Sequence, residues 1–169
     1  MLPSAEPSIN DQLRATARIL ATDLAYARSL AITNNSTYRV VFDMANNRYI
    51  LEHSGSDTSL DLLPESPFSR DFGEQKQMVV DLDELPHLGA EVHLLAAVQY
   101  NWSISKTTEV EFGPLGETTD TAWTILWLGA GSDRKARYIL LLVHPITGLV
   151  ELSHTTESAP PSWLASATL

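Results

Sequence analysis

Apolar residues near the start of the chain recur at intervals of three and four positions. Leu13, Ala17, Leu20 and Leu24 begin this series. Side chains at this spacing share one face of an α-helix, because the helix repeats every 3.6 residues. The pattern predicts an amphipathic helix over residues 9–32 that buries one face, with these four residues as its packing face.

Polar residues mark both ends of this helix. Ser8, Asn10 and Asp11 are candidates for the N-cap, where a side-chain oxygen accepts a backbone N–H. Asn34 and Asn35 favour the left-handed conformation that terminates helices. We therefore expect the helix to end near Asn34.

Beyond the helix the pattern changes to alternating apolar and polar residues. The segments "TYRVVFD" (residues 37–43) and "RYILE" (48–52) predict two strands, and "MANN" between them supplies asparagines that tolerate the positive φ of a tight hairpin. The sequence therefore predicts an α+β fold in which one N-terminal amphipathic helix packs on antiparallel β-sheets. Turn residues such as those of "GPLGE" and "HPITG" separate six further predicted strands, at residues 78–82, 91–100, 109–112, 122–128, 138–143 and 149–153.

The length of the chain suits one domain. A chain of 169 residues buries roughly two-thirds of its unfolded surface on folding, so its core needs no metal or disulfide. The polar, proline-containing stretch at 53–77 predicts a long surface connection in which "SLDLL" is the ordered piece. We expect a truncated start at 1–8, a globular domain at 9–155 and a flexible tail at 156–169.

Composition and charge exclude several classes of protein. The hydrophobic content of 44% argues against disorder, and the lack of cysteine excludes disulfides, thiolate zinc sites and cysteine nucleophiles. The net charge of −10 repels nucleic-acid phosphates, and only Arg134, Lys135 and Arg137 form a basic cluster. No apolar run of about eighteen residues predicts a membrane span, so we expect the chain as given to be soluble.

The sequence offers no strong metal site. The histidines are far apart and lack the short spacing of a ligand pair; they are His53, His87, His93, His144 and His154. The acidic run "DLDE" (residues 81–84) offers oxygen ligands for calcium, but it lacks the glycine turn and distal glutamate of a calcium loop. We expect no metal and no cofactor.

Candidate catalytic patterns are equally weak. "LGAGSDRKAR" (residues 128–137) places glycines beside basic residues, but no helix follows that would bind a phosphate. There is no G-x-S-x-G elbow, and the sequence gives no basis for assembling a Ser-His-Asp set from its scattered residues. Trp123 and Trp127 share one strand face, which suits sheet packing better than a sugar-binding platform. The sequence predicts no enzyme.

The early part of the chain resembles a known family. The segment "LATDLAYARSLAITNNSTYRVVFDMANNRYIL" (residues 20–51) is similar to the start of the globular domain in the GspH/FimT family, which comprises H-type minor pseudopilins of type II secretion and related minor pilins. In that family an A-R-S-x-A-I type motif leads into a strand of the V-x-F type. The motif is matched by Ala27, Arg28, Ser29, Ala31 and Ile32.

Two later segments also resemble the family. "VEFGPLGET" (residues 110–118) is similar to its F-x-P-x-G turn, with Phe112, Pro114 and Gly116 in place. "ARYILLLVHPITGLVEL" (136–152) is similar to its final hairpin through a set of matching residues: Arg137, Ile139, Thr147, Gly148 and Val150. The order of the three segments makes the resemblance stronger than any one motif.

The resemblance also concerns the start of the chain. Family members begin with a basic leader and a long apolar helix that ends near a Leu-Pro-Ser type sequence, which Leu2, Pro3 and Ser4 resemble. We therefore expect a truncated protein that lacks its membrane helix. The family resemblance implies a location in the bacterial inner membrane with the head in the periplasm.

The function implied by the resemblance is structural. We expect a non-catalytic minor pseudopilin of the periplasmic pseudopilus, with other pseudopilins and the inner-membrane secretion machinery as partners. The truncated form is expected to be largely monomeric and to bind no nucleic acid. Two alternatives stay open: a type IV minor pilin in adhesion or DNA uptake, and a carbohydrate-binding or hydrolytic β-domain.

Overall fold

The first element of the computed structural model is a long helix, α1, that spans Ile9–Thr33. The structure describes residues 8–64, 75–85 and 92–165. The Ser8 side chain caps α1 by accepting the Asp11 N–H, as the sequence predicted. The helix ends where Asn35 adopts a left-handed conformation with φ of 48°. The predicted helix and its end near Asn34 are therefore confirmed.

Nine strands of the described residues form two antiparallel sheets. The first sheet has the order β3-β2-β1-β6 and the second has the order β5-β4-β7-β8-β9. Their bounds are β1 Tyr38–Asp43, β2 Arg48–His53, β3 Gln77–Asp81, β4 Val92–Asn101, β5 Ser103–Lys106, β6 Glu109–Phe112, β7 Trp123–Ala130, β8 Arg137–Val143 and β9 Val150–Leu152. A short second helix, α2, spans Ser162–Ala165.

Most strand predictions agree with these bounds to within two residues. Leu82, the predicted last residue of the third strand, instead begins a short 3-10 turn directly after β3. Position 91, the predicted start of the fourth strand, lies outside the described residues. Strand β5 was not predicted from the sequence; it pairs with β4 through a tip at Trp102. Trp102 makes this reversal at a φ of 62°, so no glycine or proline announces the turn.

The core lies between α1 and the inner faces of both sheets. Strand β1 alternates buried and half-buried residues, so that Tyr38, Val40 and Phe42 face inward. On the second sheet Leu126 and Leu141 are fully buried. Each such side chain contributes about 1.5–3 kcal/mol when it leaves water. One helix packed on two antiparallel sheets confirms the predicted pilin-like α+β class.

The β1–β2 hairpin is tied to the second sheet by one buried asparagine. Asn47 adopts a left-handed conformation with φ of 50°, as predicted for an asparagine of "MANN". Its side-chain amide donates to Asp83 Oδ1 at 2.7 Å and to the Val92 carbonyl at 2.9 Å. Its side-chain oxygen accepts the Leu94 N–H at 2.9 Å. Asn47 thus links the hairpin to both the 3-10 turn after β3 and the start of β4.

The C-terminal segment is attached through β8. Tyr138 and Thr156 exchange backbone hydrogen bonds of 2.8 Å, and Arg137 forms an ion pair of 3.0 Å with Glu157. The predicted division into residues 1–8, 9–155 and 156–169 stays a prediction. Positions 1–7, which include Leu2, Pro3 and Ser4, lie outside the described residues.

Candidate functional site

One helix arginine joins two turns that are far apart in the sequence. Arg28 Nε donates to the Gly116 carbonyl at 3.1 Å and to the Thr147 carbonyl at 2.6 Å. We call residues 113–118 and 144–149, taken together, the double turn. Three segments that resembled family motifs therefore meet at one side chain.

The double turn depends on two glycines with left-handed backbones. Gly116 has a φ of 84° and Gly148 a φ of 64°, so the prediction that both glycines lie in turns is confirmed. A Cβ at Gly148 would overlap the Gly116 carbonyl oxygen and lie 3.0 Å from Arg28 Cδ. The two turns therefore touch backbone to backbone, which only glycine permits here.

Further hydrogen bonds hold the two turns together. Thr118 is fully buried, and its N–H donates to the Pro145 carbonyl at 2.8 Å. Within the second turn, His144 Nδ1 accepts the Ile146 and Thr147 N–H groups at 3.2 and 3.3 Å. Glu117 performs a similar role in the first turn by accepting the Leu115 N–H at 2.9 Å. The backbone of the double turn is therefore fixed by several independent contacts.

The remaining motif residues have other surroundings. Ala27 and Ala31 are fully buried on the inner side of α1, and Phe112 is fully buried at the end of β6. Ser29 and Ile32 are exposed on the outer side of the helix. Pro114 is half-buried in the double turn. The structure thus brings Arg28, Gly116, Thr147 and Gly148 together, and it uses the others for packing or leaves them at the surface.

The predicted packing face of α1 points into the core. Leu13, Ala17, Leu20 and Leu24 are each 0% exposed. They belong to the same buried cluster as residues of both sheets. This face positions Arg28 on the flank of the helix, beside the double turn.

The structure contains a Ser-His-Asp arrangement that the sequence did not reveal. Ser36 Oγ lies 2.7 Å from His53 Nε2, and His53 Nδ1 lies 2.9 Å from Asp61 Oδ1. The backbone of Gly55 abuts the Ser36 hydroxyl, and the Tyr38 ring packs edge-on against His53 at 5.0 Å. The His53 side chain is only 1% exposed.

The role of this arrangement depends on whether a substrate can reach the Ser36 hydroxyl. A nucleophilic serine needs open space beside its hydroxyl for an acyl group and oxyanion donors. Gly55 lies against the Ser36 hydroxyl and the Tyr38 ring packs against His53, so the three residues connect the end of α1 to the end of β2. The role of this hydrogen-bonded set is structural.

A second buried polar pair connects α1 to β2. The hydroxyl of the fully buried Tyr49 donates to Asp23 Oδ2 at 2.5 Å. Burial raises the pKa of the Asp23 carboxyl, and the Tyr49 hydrogen bond partly opposes that increase. Burial also raises the pKa of Tyr49, and the nearby Asp23 charge adds to that shift. Sequence spacing gave no signal for this pair, because the two residues lie on different elements.

Two aspartates of the acidic run considered for calcium binding are engaged within the protein, and His87 lies outside the described residues. Asp81 accepts the Asp83 N–H at 2.9 Å, and Asp83 accepts from Asn47. Across residues 8–64, 75–85 and 92–165, no group of three or more His, Cys, Asp or Glu side chains is placed to hold a metal ion.

An open polar groove of about 530 Å³ lies where the chain crosses from the second sheet to the first. Its walls carry both acidic and hydroxyl side chains. The lining residues are Gln99, Lys106, Thr107, Thr108, Glu109, Glu111, Thr119 and Asp120.

The two tryptophans of β7 are not among the residues that line the groove. Trp123 is half-buried and packs against His144 with ring centroids 4.6 Å apart. Trp127 is also half-buried, which agrees with sheet packing.

Neither helix in the described part of the chain combines the length and apolar character that a bilayer crossing requires.

A sequence model of the family described as "Type II transport protein GspH" matches residues 16–143. None of the curated proteins compared with the chain matches it.

Two solved structures share the fold. The minor pseudopilin EpsH from the type 2 secretion system of Vibrio cholerae is similar with a TM-score of 0.52 and 14% identity, over 85% of this chain and 98% of that chain. The type IV minor pilin FimU of Pseudomonas aeruginosa is similar with a TM-score of 0.51 and 14% identity, over 87% of this chain and 94% of that chain. At this identity the likeness concerns the fold alone.

Proposed function

Because the chain belongs to the type II transport protein GspH family, we propose that it acts by joining other pseudopilins in a periplasmic filament. As a family member it is a minor pseudopilin of the type II secretion system, and it is a structural, non-enzymatic subunit. The family implies assembly with the secretion machinery at the inner membrane and periplasm. Contacts with individual filament subunits are our proposal.

The observation that carries this proposal is the family match over residues 16–143, which includes most of α1 and eight of the nine described strands. The fold supports it physically, since α1 forms a rigid spine whose buried face holds both sheets. An apolar helical segment that precedes α1, lies in line with it and inserts into the inner membrane would hold the domain on the periplasmic side. Other filament subunits would then contact the exposed surface of the domain.

The alternative function is that of a type IV minor pilin, which the family resemblance left open. The likeness to FimU does not favour it, because EpsH and FimU match the fold equally well. The family match favours secretion. A role in DNA uptake is disfavoured by the net charge of −10, since phosphate contacts need clustered cations.

The test uses a strain that carries the complete gene and its secretion system. Deletion of the gene should abolish or strongly reduce secretion of the exported proteins, and the native gene should restore it. Affinity purification of the tagged full-length protein from cross-linked membranes should recover other pseudopilins. Normal secretion in the deletion strain, together with lost surface pili, would instead identify a type IV minor pilin.

A further inference from the structure

The double turn carries a cluster of exposed aliphatic side chains. Leu115 is 86% exposed, Ile146 is 76% exposed and Leu149 is 55% exposed. Single exposed aliphatic residues are common and need no explanation. Here the two turns touch backbone to backbone at Gly116 and Gly148, so the three exposed residues belong to adjoining turns. We call Leu115, Ile146 and Leu149 the apolar knob.

The knob stands on an unusually fixed backbone. The hydrogen bonds from Arg28 hold both turns, and Glu117 fixes the N–H of Leu115 itself. The ring of His144 fixes the N–H of Ile146. A surface that is already ordered loses little conformational entropy when it binds, which favours its use in recognition.

The size of the knob limits what it can bind alone. Three aliphatic side chains with these exposures present on the order of 400 Å² of apolar surface, which is comparable to the largest patch on a typical monomer. A standard stable interface buries about 800 Å² on each partner. The knob is therefore too small to hold a homodimer, and it suits a contact between subunits that another attachment keeps together.

Charge determines which kind of subunit fits. Glu117 accepts the Leu115 N–H, and Glu151 follows Leu149 by two residues. These two carboxylates outnumber the single guanidinium of Arg28 at the double turn. A second copy of this chain would bring another net charge of −10 to this acidic rim. A surface with basic residues around an apolar recess is complementary to the knob.

We infer that the apolar knob docks into an apolar recess with a basic rim on a different subunit of the same filament. This inference rests on the proposed function, because the shared filament supplies the attachment that a small contact needs. Docking buries Leu115 and Ile146 at the centre of the contact. Glu117 and Glu151 then lie at its edge, opposite the basic residues of the partner.

The first experiment replaces Leu115 with a photoreactive benzoylphenylalanine in the full-length protein within its secretion system. The same residue at Ile104 is the control, because Ile104 is 55% exposed on β5 at the opposite edge of the second sheet. Position 115 should cross-link to another filament subunit at several times the yield of position 104. Cross-linking between two copies of this chain at position 115 would overturn the inference.

The second experiment compares Leu115→Ser/Ile146→Ser with Ile104→Ser. The double variant should recover at least tenfold less of the partner subunit on purification, and Ile104→Ser should recover amounts within twofold of the wild type. Glu151→Lys should lower recovery several-fold by placing a cation against the basic rim. Melting temperatures of all variants should be close to that of the wild type, because every changed side chain is exposed.

The outcomes separate the inference from the proposed function. Equal recovery with the double variant, when the wild type recovers filament subunits, would overturn the inference and leave the proposed function intact. Failure of the wild type to recover any filament subunit would overturn the proposed function, and with it the inference.

Discussion

At the scale of single residues, Gly148 decides whether the two halves of the double turn can touch. Its left-handed φ and its contact with the Gly116 carbonyl leave no room for a side chain. Gly113 lies in the same double turn but has no positive φ, and the three atoms nearest to a Cβ there all belong to the side chain of Glu117. Gly113→Ala is therefore a suitable control for Gly148→Ala.

We expect Gly148→Ala to lower the free energy of unfolding by more than about 2 kcal/mol, because it combines backbone strain with overlap. Gly113→Ala should change it by less than about 1 kcal/mol, since the flexible Glu117 side chain can move away. Urea unfolding followed by circular dichroism measures both values. Equal losses for the two variants would contradict this account of the double turn.

The buried pair of Asp23 and Tyr49 gives a prediction about pH. Because burial raises the pKa of Asp23 above its ordinary value of 3.8, the folded protein binds more protons than the unfolded chain between the two pKa values. The free energy of unfolding contributed by this group therefore falls as pH rises through that interval, and it stays constant above it. Asp23→Asn should remove this decrease while the Tyr49 hydroxyl still donates to the amide oxygen.

The measurement is the difference in unfolding free energy between Asp23→Asn and the wild type from pH 3.5 to 7. This difference should shift in favour of the variant as pH rises and then reach a plateau. Tyr49→Phe should destabilise the protein at the plateau, because the buried carboxylate loses its hydrogen bond. A difference that does not change with pH would mean that Asp23 titrates normally in the folded protein.

At the scale of elements, the β1–β2 hairpin depends on Asn47 to reach the second sheet. Its side chain makes three hydrogen bonds, to Asp83, Val92 and Leu94. The neighbouring Asn46 is exposed, and its side-chain amide donates to Asp43 Oδ2 at 2.8 Å within the same turn. Variants of these two asparagines can therefore distinguish the contribution of the hairpin turn from that of the link to the second sheet.

We expect Asn47→Ala to lower the free energy of unfolding by about 2–4 kcal/mol, because it leaves the buried Val92 carbonyl and Leu94 N–H without this partner and strains the turn. Asn47→Gly should recover the part of the loss that is due to backbone conformation. Asn46→Ala should cost less than about 1 kcal/mol. Thermal and urea unfolding of the three variants would test this order, and similar values for positions 46 and 47 would contradict it.

At the scale of the whole molecule, charge and the small apolar knob predict the behaviour of the chain in solution. The net charge of −10 makes copies repel one another, an effect that salt screens beyond about 8 Å at physiological ionic strength. We expect the 169-residue chain to be largely monomeric in sedimentation runs at increasing concentration. A tight homo-oligomer would show that the domain itself carries a self-association interface larger than the knob.

The elements with strong local patterns could be read from the sequence. The α1 stripe repeats over about five turns, and β1 and β2 alternate, so hydrophobic periodicity located them. Strand β8 is a continuous apolar run bounded by polar and turn residues. The turn glycines Gly116 and Gly148 were found because strands flank them. Strand β5 was missed because its reversal at Trp102 uses a left-handed tryptophan, for which local propensity gives no signal.

The sequence by itself determined the helix, most strands, the family motifs and the absence of a strong catalytic pattern. Only the tertiary structure decided that Arg28 holds the double turn instead of lying free on the polar flank of α1. It also decided that Ser36, His53 and Asp61 meet and that Asp23 is buried against Tyr49. The physical reason is that periodicity records which face of an element is buried, whereas hydrogen bonds between distant segments depend on how those elements pack.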